Sequence, residues 1–412
     1  MPSKIVTRFA PSPTGNMHVG SLRTALYSYL YARKHEGTFI MRIDDTDEER
    51  NRVEYLKNIT DSLKWCGIEW DVLVRQSDRD SVYEEYLNQL LKNDSAYLQG
   101  GAVWCRMKDV HSVSWMDRSG VISLPTDSFQ DWVIRRKDGR YTYNFCSFVD
   151  DVNLQVSHVI RGEDHIVNTG KQVHLANLLL LPIPMYFHLP LLHGEAGDKL
   201  SKRDMSSGVE ELKVEGIMPE ALVNYVALLG WSSGDREIYS LAELKFSFCL
   251  EKLNKSAMCV NKAKLIWFNK HYLKKATSER ILSLTNLNFL ADHQFLEEAL
   301  CKAKERASTL RDIEDELEFL DPGNLGCKNT SPFSFKSILP YLDKMDWNDA
   351  DDIKNSLKSF AISAQLKLRD VDVALRQVVS GRTKGIGIAY VLKWLGKSQF
   401  INLLNRNMIC YE

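Results

Sequence analysis

The chain has 412 residues, of which 44% are hydrophobic and 26% charged, and a formal net charge of −1. That length allows roughly two to four domains with sizeable cores, and the balance excludes a disordered or low-complexity polypeptide. With almost no net charge, any polyanionic partner must be met by local basic patches.

The N-terminus, MPSKIVTRFAP, has no long apolar core and does not read as a signal peptide. Ile5 to Phe9 reads as a short buried strand, which Pro11 and Pro13 forbid from continuing. Thr14-Gly15 supplies a turn. Leu22, Ala25, Leu26, Tyr29 and Leu30 then recur at helical spacing, and Gly37 is expected to close that helix at its C′ position. Thr38 to Ile43 is a second strand, followed by the acidic run Asp44 to Asp47. Strand, helix and strand make a βαβ unit with a parallel sheet. The helix mouth at His18-Val19-Gly20-Ser21 would offer free N–H groups to an anion at the carboxyl edge of that sheet. Gly20 would let a flat ring or sugar approach the backbone, and His18 could donate to a phosphate.

Further on, Leu175 to Leu192 is apolar but broken by Asn177, Pro182, Pro184, His188 and Pro190, so no membrane span is expected. Lys199-Leu200-Ser201-Lys202-Arg203 follows Gly194 and Gly197 and precedes Gly208. Two lysines flanking a serine could neutralise a triphosphate and a transferring phosphorus. Either stretch alone is also what a helix cap or a solvated charge run looks like; the pair is far more specific. The eight cysteines are scattered without a C-x-x-C pair, which suits reduced thiols and a cytoplasmic protein.

Taken in order, APSPTGNMHVGSLRTAL, RIDDTD, YNFCSFVDD, HVIRGEDH and KLSKRD closely resemble the bacterial glutamyl-tRNA synthetases, class I synthetases of the HIGH/KMSKS type. The likeness is strong from about Ile5 to Trp231 and weaker to the end of the chain. It implies an α/β Rossmann-like catalytic domain in two halves, 1–72 and 141–204, with an inserted acceptor-end-binding domain at 73–140. A stem-contact region at 205–275 and an all-α anticodon-binding domain at 276–412 would follow. The implied enzyme is a glutamate–tRNA ligase: L-glutamate and ATP with Mg²⁺ give glutamyl-adenylate, which is transferred to the terminal adenosine of tRNA(Glu). No protein nucleophile is needed, so the burden falls on positioning and charge neutralisation.

The resemblance also assigns residues. His18, Lys199 and Lys202 would be catalytic, joined in ATP binding by Gly20, Asp164 and His165. Arg8, Ala10, Ser12, Asp44, Tyr143, Ser147 and Arg161 would line the glutamate site, with Arg161 for the side-chain carboxylate and Asp44 for the ammonium. HVGS departs from the literal HIGH, Asp44 stands where the family more often has Glu, and Ser147 replaces an Asn of some relatives.

In the 73–140 segment, Arg106, Lys108, Arg118, Arg135, Arg136, Lys137 and Arg140 are interleaved with Trp104, Trp115 and Trp132. That mixture suits a splayed single-stranded RNA end, and buried tryptophans among solvated cations would look the same. Of cysteine and histidine, the segment holds only Cys105 and His111, which cannot assemble a four-ligand zinc site, so no zinc is expected. Pro219 to Ser232 reads as an amphipathic helix with Pro at N1. From about 276 the chain reads as helical throughout, and from Ile353 to Glu412 Lys and Arg outnumber Asp and Glu by ten to three, a balance suited to phosphate contacts. By resemblance, Arg306 would read the third anticodon base. Gly385, in SGRTKG, would lie at a second anticodon turn, where glycine relaxes discrimination. Alternatives are an enzyme that also charges tRNA(Gln), a shortened paralogue acting on a modified nucleoside, a catalytically dead RNA-binding homologue and a glutamine-specific synthetase. A monomer is expected.

Overall fold

The computed structural model describes residues 4–47, 49–107, 112–118, 120–125, 130–194, 208–321, 323 and 333–409. The chain divides into two compact units, one of Met1–Val214 with Pro219–Phe268 and one of Glu215–Met218 with Asn269–Glu412.

The first unit is built on the expected βαβ start. Strand β1 (Val6–Phe9) leads through the Pro-rich turn into helix α1 (Val19–Lys34), and β2 (Thr38–Ile43) returns parallel to β1 with Arg8 opposite Ile40. The Thr7 hydroxyl donates to the Ser28 carbonyl at 2.8 Å, fastening strand to helix. The helix end differs from expectation. Glu36, not Gly37, takes the left-handed position (φ 52°), with Glu36 N–H bonded to Arg33 and Gly37 N–H to Ala32, a Schellman closure. Gly37 is needed for another reason: a Cβ there would stand 2.3 Å from the Ile5 carbonyl oxygen.

Helix α2 (Val53–Trp65) and strand β3 (Val72–Arg75) extend the sheet on one side, and α3 (Asp80–Lys92) follows. The next strands divide between two sheets. β4 (Ala96–Gln99), β5 (Ala102–Cys105) and β8 (Trp132–Arg135) make an antiparallel sheet of their own. β6 (Ser112–Asp117) and β7 (Gly120–Pro125) instead form a hairpin that joins the main sheet. After α4 (Tyr143–Asn153), β9 (His158–Gly162), α5 (Ile166–Leu178) and β10 (Met185–Leu189) complete a seven-stranded sheet in the order β3-β2-β1-β9-β10-β6-β7, parallel except for β6 with β7. β1 meets β9 at Thr7–His158, near the start of both strands. The chain runs outward from β1 in one direction and from β9 in the other, so a crevice opens beyond their carboxyl ends.

β11 (Leu192–His193) pairs with β12 (Met258–Cys259). Between them lie α6 (Val209–Val214), α7 (Pro219–Ala227) and α8 (Leu241–Ser247). The helix expected to run to Ser232 ends at Ala227, and all its residues except Glu220 are buried. It is a core helix rather than an amphipathic one, held to α1 by the Tyr27 hydroxyl, 3.2 Å from the Ala227 carbonyl and 2.8 Å from that of Leu229 just beyond it. Helix α9 (Lys262–Lys275) runs across the boundary between the units.

The second unit is helical among its described residues: α10 (Ser278–Leu284), α11 (Leu296–Arg306), α12 (Leu310–Leu317), α13 (Phe335–Leu342), α14 (Ala350–Ser363), α15 (Leu368–Ser380) and α16 (Ile388–Ile409). Leu357, Phe360, Leu375, Val379, Leu392 and Phe400 pack its core. Among the described residues of the chain, no helix is long and apolar enough to cross a membrane.

Candidate active site

His18 caps α1. Its Nδ1 accepts the Ser21 N–H at 3.2 Å, and its Nε2 lies 2.9 Å from the Ser21 hydroxyl. The imidazole keeps an exposed edge, and desolvation by the surrounding protein holds its pKa below the ordinary value. The ring is therefore neutral at pH 7, with Nε2–H directed to Ser21, and a phosphate must compete with that hydroxyl. A side chain on Gly20 would press against the His18 ring at 3.1 Å. His18 is also bridged to Gly208, and Val209 N–H bonds to the Met17 carbonyl at 2.8 Å. The chain thus re-enters beside His18 immediately after the Lys-Leu-Ser-Lys-Arg stretch. Lys199 and Lys202 themselves lie outside the described residues.

Ala10 and Ser12 occupy the loop after β1, which is tied to the end of β2 by Asp44 N–H to the Pro11 carbonyl at 3.0 Å. Beneath it lies a buried ionic network. Arg42, fully buried, donates to Asp44 through Nε (2.7 Å) and Nη2 (3.2 Å), to Asp151 through Nη1 (2.6 Å) and to the Ser147 hydroxyl through Nη2 (3.1 Å). Arg8 donates to both oxygens of Asp151, at 3.0 and 3.4 Å. Asp150 takes Arg79 Nε and Gln76 Nε2 at 2.6 and 2.7 Å. Burial pushes the Asp44 carboxyl up to about 6 against the attraction of Arg42. For Asp151, burial is outweighed by Arg8 and Arg42, and its carboxyl lies below the usual range.

The two candidate arginines therefore differ. Arg8 is already matched by Asp151. Arg161, on β9 and 5% exposed, spends only Nη2, on the Thr169 hydroxyl (2.6 Å) and Gln172 Oε1 (2.8 Å). Its Nε and Nη1 have no hydrogen-bond partner among the described residues. Unmatched buried donors carry a desolvation penalty that an incoming carboxylate relieves. At the start of α4, the Tyr143 hydroxyl lies 3.2 Å from His165 Nδ1, as does Asn168 Nδ2. His165 is pushed down to about 4 by burial, reinforced by Arg161. With Nδ1 accepting, Nε2 is the donor, 3.9 Å from the exposed Asp164.

In the β4-β5-β8 sheet, a groove of about 740 Å³ is lined by Tyr97, Trp104, Arg136 and Lys137 among others. Trp115 and Trp132 do not share in it: both are buried core residues, so of the three tryptophans read as stacking residues, Trp104 alone is placed for that role. Cys105 is buried, which pushes its thiol up to about 12; His111 lies outside the described residues. Among the described residues no group of His, Cys, Asp and Glu could hold a metal ion.

In the helical unit, Arg306 and Gly385 converge on Glu316. Arg306 Nε is 3.8 Å from Glu316 Oε1, and Glu316 Oε2 accepts the Ile386 N–H at 3.0 Å.

Arg42, Asp150 and Asp151 were not singled out by sequence reasoning. The Asp-Asp pair at the end of YNFCSFVDD is the available signal, but the arginine partners of Asp151 lie more than a hundred residues away.

Two families match the chain: residues 4–102 and 98–267 match the "tRNA synthetases class I (E and Q), catalytic domain", and residues 272–408 an "Anticodon binding domain". Glutamate--tRNA ligase 2 of a Nitratiruptor species is 36% identical, over 96% of this chain and 97% of that relative. Glutamate--tRNA ligase of Aquifex aeolicus (strain VF5) is 35% identical, over 96% and 97%. Among solved structures, a glutamate tRNA ligase from Elizabethkingia meningosepticum CCUG26117 in complex with its amino acid superposes with a TM-score of 0.80 at 27% identity, covering all of both chains.

Proposed function

This chain belongs to the glutamate--tRNA ligase family of class I tRNA synthetases, and from that premise we propose that it activates L-glutamate with ATP and transfers it to tRNA(Glu). The observation that carries the reading is Arg161: a buried guanidinium with unmatched N–H groups, on the strand that borders the crevice beside the α1 mouth.

In this reading the side-chain carboxylate of glutamate meets Nη1 and Nε of Arg161, while Arg8, neutralised by Asp151, shapes the pocket floor. Asp44 accepts the ammonium; a carboxylate offers about four lone-pair sites, so two bonds from Arg42 leave room. Ala10, Ser12 and Tyr143 flank the amino acid, and Ser147 acts through Arg42. The α-carboxylate then attacks the α-phosphorus, and pyrophosphate leaves. His18 and the α1 N-terminus receive phosphate oxygens, Gly20 lets the nucleotide approach, and Asp164 and His165 border the adenosine. Lys199 and Lys202 neutralise the charge that develops at phosphorus, and Mg²⁺ arrives with ATP. No zinc takes part. A ribose hydroxyl of the terminal adenosine of tRNA attacks the mixed anhydride and expels AMP.

For the divisions of the chain we retain 1–72 and 141–204 as the catalytic halves, 73–140 as the acceptor-end segment apart from its β6–β7 hairpin, which belongs with the catalytic sheet, 205–275 as the stem-contact region and 276–412 as the anticodon-binding domain. The groove at Trp104, Arg136 and Lys137 supports the acceptor assignment, and the convergence of Arg306 and Gly385 on Glu316 the anticodon one. The enzyme works as a monomer in the cytoplasm.

The test is ATP–pyrophosphate exchange with and without tRNA, offered glutamate, glutamine and aspartate. Exchange is expected with glutamate alone. Exchange with glutamine, or with none of the three, overturns the reading.

A further inference from the structure

The contacts that hold Arg161 do not stop at Thr169. Thr169 Oγ1 lies 2.8 Å from Nε2 of His188 on β10, and His188 Nδ1 lies 2.6 Å from Oδ2 of Asp117 on β6. Arg161, Thr169, His188 and Asp117 are all at most 5% exposed. The Tyr186 ring covers two members from one side, stacked on His188 (interplanar angle 2°) and with the Arg161 guanidinium 5.4 Å from its centroid.

Donor and acceptor chemistry gives the chain a direction. A carboxylate only accepts, so His188 Nδ1 carries the proton. Burial holds His188 below the ordinary imidazole pKa despite Asp117, which leaves the ring neutral and Nε2 an acceptor. Thr169 then shares its one O–H between Nε2, at 2.8 Å, and the His165 carbonyl, at 3.0 Å, and turns a lone pair to Arg161 Nη2. Gln172 Oε1 takes the other Nη2 hydrogen. One nitrogen of the guanidinium is saturated, and the N–H groups of the other two are left over.

We propose that Asp117, His188 and Thr169 are positioning residues, a relay that locks Arg161 in the one rotamer presenting Nη1 and Nε to the substrate carboxylate. This rests on the reading of Arg161 given above. It also assigns a task to the β6–β7 hairpin: by joining the main sheet beside β10, β6 delivers Asp117 to His188. A long side chain fixed in advance loses less freedom when its ligand arrives, so the relay acts on glutamate binding rather than on phosphoryl chemistry.

The test compares glutamate KM, ATP KM and kcat of pyrophosphate exchange, with tRNA present, for parent, Thr169→Val, Thr169→Ser, Asp117→Asn, Arg161→Ala and the Arg161→Ala/Thr169→Val double variant. Thr169→Val should raise glutamate KM about tenfold, the scale of one hydrogen bond to a charged group, with kcat and ATP KM changed less than about threefold. Thr169→Ser, which keeps the hydroxyl, should restore KM to within about twofold, and Asp117→Asn should raise it about three- to tenfold. In the Arg161→Ala background Thr169→Val should add nothing further to KM, whereas a merely structural role would add its full effect. Full additivity, or a Thr169→Ser as impaired as Thr169→Val, overturns the relay. A raised KM in Arg161→Ala beside a parental KM in Thr169→Val also overturns the relay alone. An unchanged KM in Arg161→Ala overturns the carboxylate reading and the relay with it.

Discussion

The guanidinium of Arg306 and the carboxylate of Glu316 face each other across 3.8 Å, and the second oxygen of that carboxylate holds the backbone of Ile386, next to Gly385. A Cβ on Gly385 would stand 2.9 Å from the same oxygen. Glu316 therefore links the two residues expected to sense the anticodon. Arg306→Gln should narrow the preference for tRNA(Glu) over tRNA(Gln) by roughly 5- to 150-fold, the range of about 1–3 kcal/mol that one good base contact gives. Aminoacylation of both purified tRNAs measures it, and an unchanged ratio of rates removes Arg306 as the reader.

Lys202→Ala should slow adenylate formation about a hundredfold or more, the scale of losing one donor to a developing oxyanion. Glutamate and ATP affinities should move far less, because a group met mainly in the transition state changes turnover. Single-turnover kinetics would separate the two. A rate within a few-fold of the parent refutes the catalytic assignment of Lys202.

Asp44 predicts a pH dependence. Its carboxyl titrates at about 6 in the folded chain, against an ordinary 3.8. Above pH 6 it is charged and able to accept an ammonium; as pH falls through 6 it protonates and that partner is lost. Glutamate KM should be flat above about pH 7 and rise about tenfold per unit below 6, as one proton competing with the ligand requires. The folded chain also holds that proton more tightly than the unfolded one. The stability it contributes is fully present below pH 3.8 and is lost as pH rises through 6. Asp44→Asn should raise KM above pH 6, where the parent carboxylate is charged, and flatten the profile. A parent profile flat from about pH 5 to 8 dismisses the ammonium role.

Asp151→Ala leaves Arg8 and Arg42 buried without their shared acceptor, and should cost about 3–5 kcal/mol of folding stability. Asp151→Asn, which keeps an oxygen in place, should cost less. Urea denaturation midpoints measure both; equal midpoints for parent and Asp151→Ala would show that the network relaxes without it.

Protein purified without chelator should contain no stoichiometric zinc. A thiol as deeply buried as Cys105, with its pKa at about 12, is a poor source of the thiolate a zinc ion needs. Elemental analysis giving one equivalent, abolished by Cys105→Ser, would contradict this.

What could be read from the chain beforehand was mainly local. Pro11, Pro13 and the apolar spacing after Val19 mark the turn and the helix within a few residues, and β2 ends where the acidic run begins. Gly37 sits one position past the left-handed residue, which is Glu36; the glycine answers instead to the Ile5 carbonyl, whose approach no local pattern shows. The hairpin at 112–125 was assigned to the insertion since nothing in its own residues announces β10 as its neighbour. Arg161 and Arg8 were both legible as cations, but not that Asp151 neutralises one and leaves the other with open donors. That distinction depends on partners 143 residues apart.

The central strands also impose an order in time. β1 waits for β9, whose pairing residue is His158, and β6 waits for β10 at Tyr186. At about 5–20 residues per second, a ribosome needs roughly 8–30 s between exposing the edge of β1 and supplying the strand that covers it. The first βαβ unit spends that interval as a half-sheet with an open edge, a template for unwanted pairing. A nascent chain stalled before residue 158 should bind holdase chaperones more than the full-length chain does, because only the later strands join the two halves of the sheet.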